Sequence, residues 1–387
     1  MRGAVHGRWE PRFDPLAAAL ADEIESGEEL GASLAVDVDG ELVADMWGGH
    51  ADRAKTIAWQ QDTVVNFWSC TKTLTALAAL LLIDAGELDP GAPVTKYWPE
   101  FGAHGKDRIE VRHLLAHTSG VSGWQVPFDV EDIYDWERAT AHLADQTPWW
   151  DPGTASGYHA MNYGHLVGEV IRRITGTHLK DVVRESISEP MAADVQIGAH
   201  ESDEPRIAEL LAPPPRDRGL DRLGPDHPAV RTFAAFPPGA YGVAVAETAP
   251  WRRADIGGAN GHGNARGLVR ALRAISLGGA VDGTKVLSPA TIDQIFVEQS
   301  HGTDLVLGIP LRFGLGFGLP TPESVPAVPP GRVCWWGGWG GSLVVMDLDR
   351  RATFAYVMNK MGGGTTGTTR SLRYARLIDA ALQDARA

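Results

Sequence analysis

Ser69 and Lys72 stand three residues apart in the stretch Asn66-Phe67-Trp68-Ser69-Cys70-Thr71-Lys72-Thr73, where an extended run gives way to a helical one. Residues three apart on a helix share a face, and the unpaired backbone N–H groups at a helix N-terminus favour developing negative charge. A serine in the first turn can therefore meet a lysine one turn later. If that lysine is desolvated its pKa falls, and the neutral amine can take the serine proton and turn the oxygen into a nucleophile. The same two residues also fit an N-cap serine followed by a solvent-facing lysine. Phe67 and Trp68 before the pair, and the apolar helix face behind it, favour the catalytic reading because they can exclude water. Cys70 lies between the two, but adjacent helical residues do not face each other and no histidine immediately supports a cysteine nucleophile. Cys70 is expected to be buried and chemically quiet.

The elements that must position this pair follow from periodicity. Leu74, Leu77, Ala78 and Leu81 fall on one face of a 3.6-residue period, which predicts a central, buried helix from Thr71 to a stop near Gly86. Before it, helical spacing over Leu16 to Ile24 leads into two strand-like runs, Ala32 to Val38 and Leu42 to Trp47, joined by Asp39-Gly40, a strong hairpin signal. Residues 90 to 230 carry little strand signal and predict helices over Val111 to His117, Ile133 to Asp145 and Met161 to Ile174. Pro213 to Pro238, rich in proline, glycine and charge, reads as a long loop beside a cleft. Strand signals return at Arg312 to Gly318, Arg332 to Trp336, Leu343 to Asp347 and Thr353 to Met358, and Ser371 to Leu382 reads as a terminal helix. Sheet signals at both ends around a helical middle predict an α+β fold. Residues 1–90 and 250–387 would form the sheet-containing part and 91–249 a mostly helical part, with the catalytic cleft between them.

With 387 residues and 44% hydrophobic content, the chain can fill a substantial core without disulfides or metals. Its two cysteines, Cys70 and Cys334, form no framework and fit a reducing compartment. Charges and prolines interrupt the opening residues, so no signal peptide is expected, and the longest apolar run, Leu74 to Ile83, is too short to cross a bilayer. The expectation is a soluble, cytoplasmic protein without membrane insertion. Thirty-five lysines and arginines against forty-nine acids give a formal charge of -14 with no basic tract, which argues against nucleic acid as a partner. Thirteen tryptophans, several beside glycines, argue instead for apolar walls around a small molecule.

Taken together, Ser69-Cys70-Thr71-Lys72, then Arg112-His113-Leu114-Leu115-Ala116-His117-Thr118-Ser119-Gly120, then Pro152-Gly153 followed by Tyr158, resemble the serine β-lactamase and penicillin-binding protein superfamily. The likeness runs from the first strand to the terminal helix. It is nearest to the class C β-lactamase-like esterases, the family VIII carboxylesterases. The resemblance implies a β-lactamase-like fold, with an antiparallel sheet assembled from both termini, flanked by helices and carrying a mostly helical inserted region. It also implies roles: Ser69 is acylated, Lys72 lies beside it, Tyr158 takes part in proton transfer, and neither cofactor nor metal is needed. The asparagine usual two residues after the tyrosine is Ala160 here. The Lys-Thr-Gly of lactamases is replaced by Trp336-Gly337-Gly338, with Trp339-Gly340-Gly341 as the other register. A missing lysine removes a cation for a β-lactam carboxylate, so small or medium neutral esters are the expected substrates. A β-lactamase, D-amino peptidase or acyltransferase is the enzymatic alternative, and a catalytically silent ligand-binding protein the non-enzymatic one. No Gly-x-Ser-x-Gly elbow of an α/β-hydrolase is present.

The backbone N–H of Ser69 is one natural donor to a tetrahedral oxyanion, and the resemblance places the second near Gly338 or Trp339. Trp68, Trp124, Trp149, Trp150, Trp336 and Trp339 are candidate walls for the acyl or alcohol part. His113 and His117 have i,i+4 spacing, but without His-Glu-x-x-His or a third ligand they read as packing residues rather than a metal site. His159 follows Tyr158, and in irregular backbone adjacent side chains diverge, which leaves it a supporting polar role. Gly257 to Asn264 lacks the lysine of a phosphate loop and the strand that precedes a dinucleotide site. Asn264 is expected to cap a helix beginning near Ala265.

Overall fold

Asp39 and Gly40 both take positive φ, 53° and 91°, the backbone twist that a two-residue antiparallel turn requires. They join the strands Gly31–Val38 and Glu41–Gly49 in the computed structural model, which describes residues 4–215, 219–235 and 242–384. These strands belong to a nine-stranded antiparallel sheet. Its order is Val5–Trp9, Glu41–Gly49, Gly31–Val38, Ala352–Met358, Leu343–Asp347, Val333–Gly337, Gly318–Leu319, Pro310–Phe313 and Ser300–Thr303. At its centre Gly31–Val38 pairs with Ala352–Met358, from Ala32 opposite Met358 to Val38 opposite Ala352, so the sheet draws on both ends of the chain as expected. The run Arg312 to Gly318 is not one strand. The Gly314 N–H donates to Phe317 O at 2.9 Å and Gly316 takes φ 84°, so the chain turns there and splits the run into a hairpin.

Alternation sends Thr353 and Tyr356 to opposite faces of the sheet. On one face, Thr353 Oγ1 meets Ser276 Oγ at 2.8 Å on the helix Ala265–Ser276, which Asn264 caps as expected by accepting from the Gly267 N–H at 2.9 Å. On the other, the Tyr356 hydroxyl donates to Glu29, which Arg370 of the terminal helix Thr369–Asp384 grips at 2.5 Å. Burial lifts the Glu29 carboxyl to about 7 even with Arg370 pulling it down. Helix Asp14–Ser26 packs beside the terminal helix on that face.

The central helix Thr71–Asp84 is buried from Thr71 to Leu80, the signature of a helix covered on all sides, and Gly86 at φ 77° follows its end. It packs against Ala265–Ser276 and against Tyr163–Thr175. Boundaries shift where capping overrides periodicity. Asp135 accepts from the Arg138 N–H at 3.1 Å and starts a helix at Trp136 rather than Ile133. His117, at φ 61°, leaves the helix Val111–Leu115 shorter than its apolar spacing suggests. Within Pro213 to Pro238 the segment Pro228–Ala234 is helical, with proline in its first turn and His227 accepting from the Ala229 N–H at 3.2 Å. Residues 216–218 and 236–238 of that stretch lie outside the described residues. A small three-stranded sheet, Val65–Asn66, Gly261–Gly263 and Val195–Ile197, delivers the chain to Ser69. Among the described residues no helix is long and apolar enough to cross a membrane, and Cys70 and Cys334 are both free and buried.

Candidate active site

Ser69 sits in a single 3-10 turn, Trp68–Cys70, between the strand Val65–Asn66 and the central helix. The turn is tight because Trp68 holds φ 51°, a left-handed conformation that a bulky residue adopts only when its surroundings impose it, at about 1–3 kcal/mol. Those surroundings are specific. The Phe67 N–H donates to Gly261 O at 3.0 Å, and the Thr71 hydroxyl donates to Trp68 O while accepting from the Gly261 N–H at 2.7 Å. The Trp68 ring meets Trp339 edge-on at 4.9 Å and Trp251 at 5.6 Å. Ser69 is left partly exposed between buried neighbours on both sides.

Lys72, one turn on, is 2% exposed. Its Nζ lies 3.3 Å from Ser69 Oγ, and it donates to Ala160 O at 2.8 Å and Gly258 O at 2.7 Å. No carboxylate among the described residues pairs with it, and burial holds its pKa well below the ordinary 10.5. Cys70 points away, its thiol reaching Trp336 O at 3.7 Å, and burial keeps that thiol protonated.

Tyr158 is brought to the same place from the irregular segment before the helix Tyr163–Thr175. Lys72 Nζ stands 4.7 Å from its ring centroid, and Trp336 Nε1 donates to its hydroxyl at 3.2 Å. Behind it, His117 packs its ring 5.0 Å from Tyr158 and accepts the His159 N–H on Nδ1 at 3.2 Å. The His159 Nδ1–H donates to Gly157 O at 2.7 Å, so its Nε2 accepts from Ser119 at 2.6 Å. Burial pushes His117 well down and His159 to about 3, so both rings are neutral packing and hydrogen-bonding groups near pH 7. His113 accepts from the Glu110 N–H at 3.1 Å and closes a capping box.

One residue of this neighbourhood carried no signal in the sequence. Asp304, fully buried, accepts from the backbone N–H groups of Tyr158 (3.0 Å), Val306 (2.9 Å) and Leu307 (2.9 Å) on a single oxygen. It clips the hairpin turn after Ser300–Thr303 to the tyrosine segment, with the Leu305 N–H donating to Ser156 O at 2.8 Å beside it. Burial raises the Asp304 carboxyl while the three N–H groups oppose that rise. Asp304 is thus a positioning residue. Asp304→Ala is expected to lower kcat about 10- to 100-fold with KM little changed, because misplacing a reacting group by an ångström is enough for such a loss. Asp304→Asn, whose amide oxygen accepts the same N–H groups, should restore most of it. Equal losses in both variants would refute a positioning role.

The glycine-bearing strand Val333–Gly337 runs beside the serine turn. A Cβ on Gly338 would come within 2.3 Å of Phe67 O, so only glycine permits this approach. The Gly338 N–H donates to Ser342 O at 2.7 Å. That corrects the expectation that it serves an oxyanion: the donor is engaged in the turn. Trp339 follows in that turn, partly exposed and packed on Trp68. Trp124 is also corrected. It is completely buried, stacked on Phe128 at 4.7 Å with its indole N–H on Ala139 O at 3.0 Å, and offers no surface to a ligand. Trp149 and Trp150 stay partly exposed. The Trp150 ring covers Gly157, next to Tyr158, and Trp149 lies against Gly123.

Known proteins are similar to this chain over most of its length. The β-lactamase family model matches residues 16–377. The esterase/β-lactamase LipL of Mycobacterium tuberculosis is 33% identical over 366 residues, covering 92% of this chain and 83% of that one. A solved family VIII carboxylesterase superposes with a TM-score of 0.90 at 36% identity, covering 98% of this chain and 99% of that one. A penicillin-binding protein homologue from Caulobacter crescentus gives a TM-score of 0.90 at 35% identity, over 98% of this chain and 100% of that one. With its fold matched over nearly its full length, the chain belongs to the β-lactamase family and is a hydrolase of the serine β-lactamase-like kind.

Proposed function

We propose that the protein is a serine carboxylesterase that cleaves small or medium neutral esters through an acyl-Ser69 intermediate. The observation that carries this is the setting of Lys72 Nζ. Carbonyl oxygens can only accept, and Ala160 O and Gly258 O take two hydrogens from the amine. Burial with no carboxylate partner among the described residues disfavours the ammonium and shifts Lys72 toward the neutral amine. In that neutral form, with its two hydrogens on the carbonyls, the lone pair is left for Ser69 Oγ, 3.3 Å away.

In the mechanism proposed, Ser69 gives its proton to Lys72 and Tyr158 acting jointly as its oxygen attacks the ester carbonyl. Tyr158 returns a proton to the departing alcohol, and the amine and phenol work as one coupled pair rather than as separate bases. The oxyanion takes the Ser69 N–H and, with Gly338 engaged elsewhere, the Trp339 backbone is the position proposed for the second donor. Water then attacks the acyl ester and releases the acid. The Trp336-Gly337-Gly338 register is favoured because Trp336 contacts Tyr158 and Gly338 abuts Phe67, and an indole where lactamases carry a lysine supports neutral substrates. Trp149 and Trp150 are proposed as walls of the cleft. The names of the esterase relatives agree with this reading, and the two free cysteines suit a cytoplasmic setting.

Turnover of an aryl ester and a cephalosporin, assayed side by side with the intact mass of the protein, tests it. Rapid ester hydrolysis with a transient acyl adduct mapped to Ser69, and little cephalosporin turnover, is expected. Efficient cephalosporin hydrolysis would overturn the substrate preference in favour of a β-lactamase.

A further inference from the structure

The helix Ala265–Ser276 is buried at every position except Arg266, Arg270 and Arg273. These three fall at i, i+4 and i+7, so one face of the helix presents a row of like charges, which repel unless anions separate them. Two are matched. Arg266 meets Asp45 at 2.9 Å, and Arg273 meets Asp37 at 3.1 Å. Arg270, between them, donates to Ala192 O at 2.9 Å, and no carboxylate among the described residues pairs with it. Burial and the nearby charges of Arg266 and Arg273 depress even its guanidinium, with Asp45 opposing and Arg8 adding least.

Arg8, Arg270 and Arg273 open onto a groove of about 640 Å³, a volume typical of small-molecule sites. Its acids do not neutralise Arg270: Asp37 and Asp282 are engaged by Arg273, the latter at 3.4 Å, and Glu41 is exposed at the hairpin turn. Lys285, also on the rim, pairs with Asp84 at 3.0 Å. Leu42, Leu81, Met191 and Val286 supply an apolar side. Leu81 lies on the central helix nine residues beyond Lys72, and no lining residue belongs to the site around Ser69.

We propose that this groove is a second ligand site that takes an organic carboxylate with a short hydrocarbon tail, its head group on the Arg270 guanidinium and its tail along Leu42, Leu81 and Met191. A carboxylate there completes the alternation of charge that Asp45 and Asp37 begin, and a guanidinium fork matches its two oxygens. The site stands whether or not the protein is an esterase, although ester hydrolysis would release ligands of this class.

Calorimetric titration of hexanoate into the Ser69→Ala protein at low salt tests it, with hexanamide and inorganic phosphate as companions. Saturable hexanoate binding that weakens about tenfold or more in the additional Arg270→Gln variant is expected, with hexanamide and phosphate both much weaker. Arg270 is partly exposed and makes one carbonyl contact, so the variant should fold and, with Ser69 intact, keep its ester turnover. Absence of hexanoate binding, or binding that Arg270→Gln leaves unchanged because the acid sits elsewhere, would overturn the proposal. Phosphate binding as tightly as hexanoate would overturn the assignment of an apolar tail.

Discussion

Ser69→Ala should remove both ester turnover and labelling by an activated phosphonate, with kcat falling on the order of 10⁴-fold or more, the scale seen when a nucleophile acting as part of a unit is deleted. The fold should survive, since the serine is partly exposed and, among the described residues, its side chain makes only the 3.3 Å approach to Lys72 as a hydrogen bond. The variant is diagnostic because the neighbouring thiol cannot substitute. Cys70 is buried, turned toward Trp336 O and kept protonated by desolvation, so it supplies no thiolate. Peptide mapping of the phosphonylated native protein should find the adduct on Ser69. Turnover that persists in Ser69→Ala, or an adduct on Cys70, would remove the acyl-serine mechanism.

Lys72→Met tests the neutral amine directly. Loss of a general base lowers kcat about 10²- to 10⁴-fold. The stability measurement is more specific. In the unfolded chain the lysine titrates at its ordinary 10.5, whereas in the folded protein burial keeps it neutral to a much lower pH. Between those limits the unfolded state binds a proton that the folded state does not, so the native protein gains stability as pH rises, by about 1.4 kcal/mol per pH unit. The variant lacks this gain. Two carbonyls left without a donor, Ala160 O and Gly258 O, shift the whole difference by a roughly constant amount but do not change its slope. Urea unfolding of both proteins at a series of pH values rising to about 10 should therefore show the native protein improving relative to Lys72→Met as the ordinary lysine value is approached. A pH-independent difference would mean that the folded protein holds an ammonium, and would withdraw the lysine as base.

What the sequence discloses about this molecule depends on whether the signal is local. The Asp39-Gly40 turn, the apolar period of the central helix and the serine–lysine spacing are properties of short segments, and each appears where the residues predict it. The outer strands Val5–Trp9 and Ser300–Thr303 went unread because they are largely exposed at the sheet edges and carry no alternation to detect. Asp304 is invisible for another reason: its work is done on a backbone N–H 146 residues away in the chain, and any aspartate in a turn looks the same on paper. Trp124 was misread because the choice between a core ring and a pocket wall is made by neighbours such as Phe128 and Ala139, which sequence spacing does not bring together. Gly338 was half legible. Its lack of a side chain pointed to close backbone approach, but the partner of its N–H emerges only from the turn to Ser342.

The pairing of Gly31–Val38 with Ala352–Met358 bears on how the protein is made. Gly31 is fastened through its N–H to the Asn359 side chain at 3.0 Å, across 328 positions of chain. The hairpin can zip on itself, but its inner edge stays unprotected until a strand more than 300 positions further along the chain has been made. Such non-local pairing slows folding, and the final closure of the sheet is expected to be a late step in refolding.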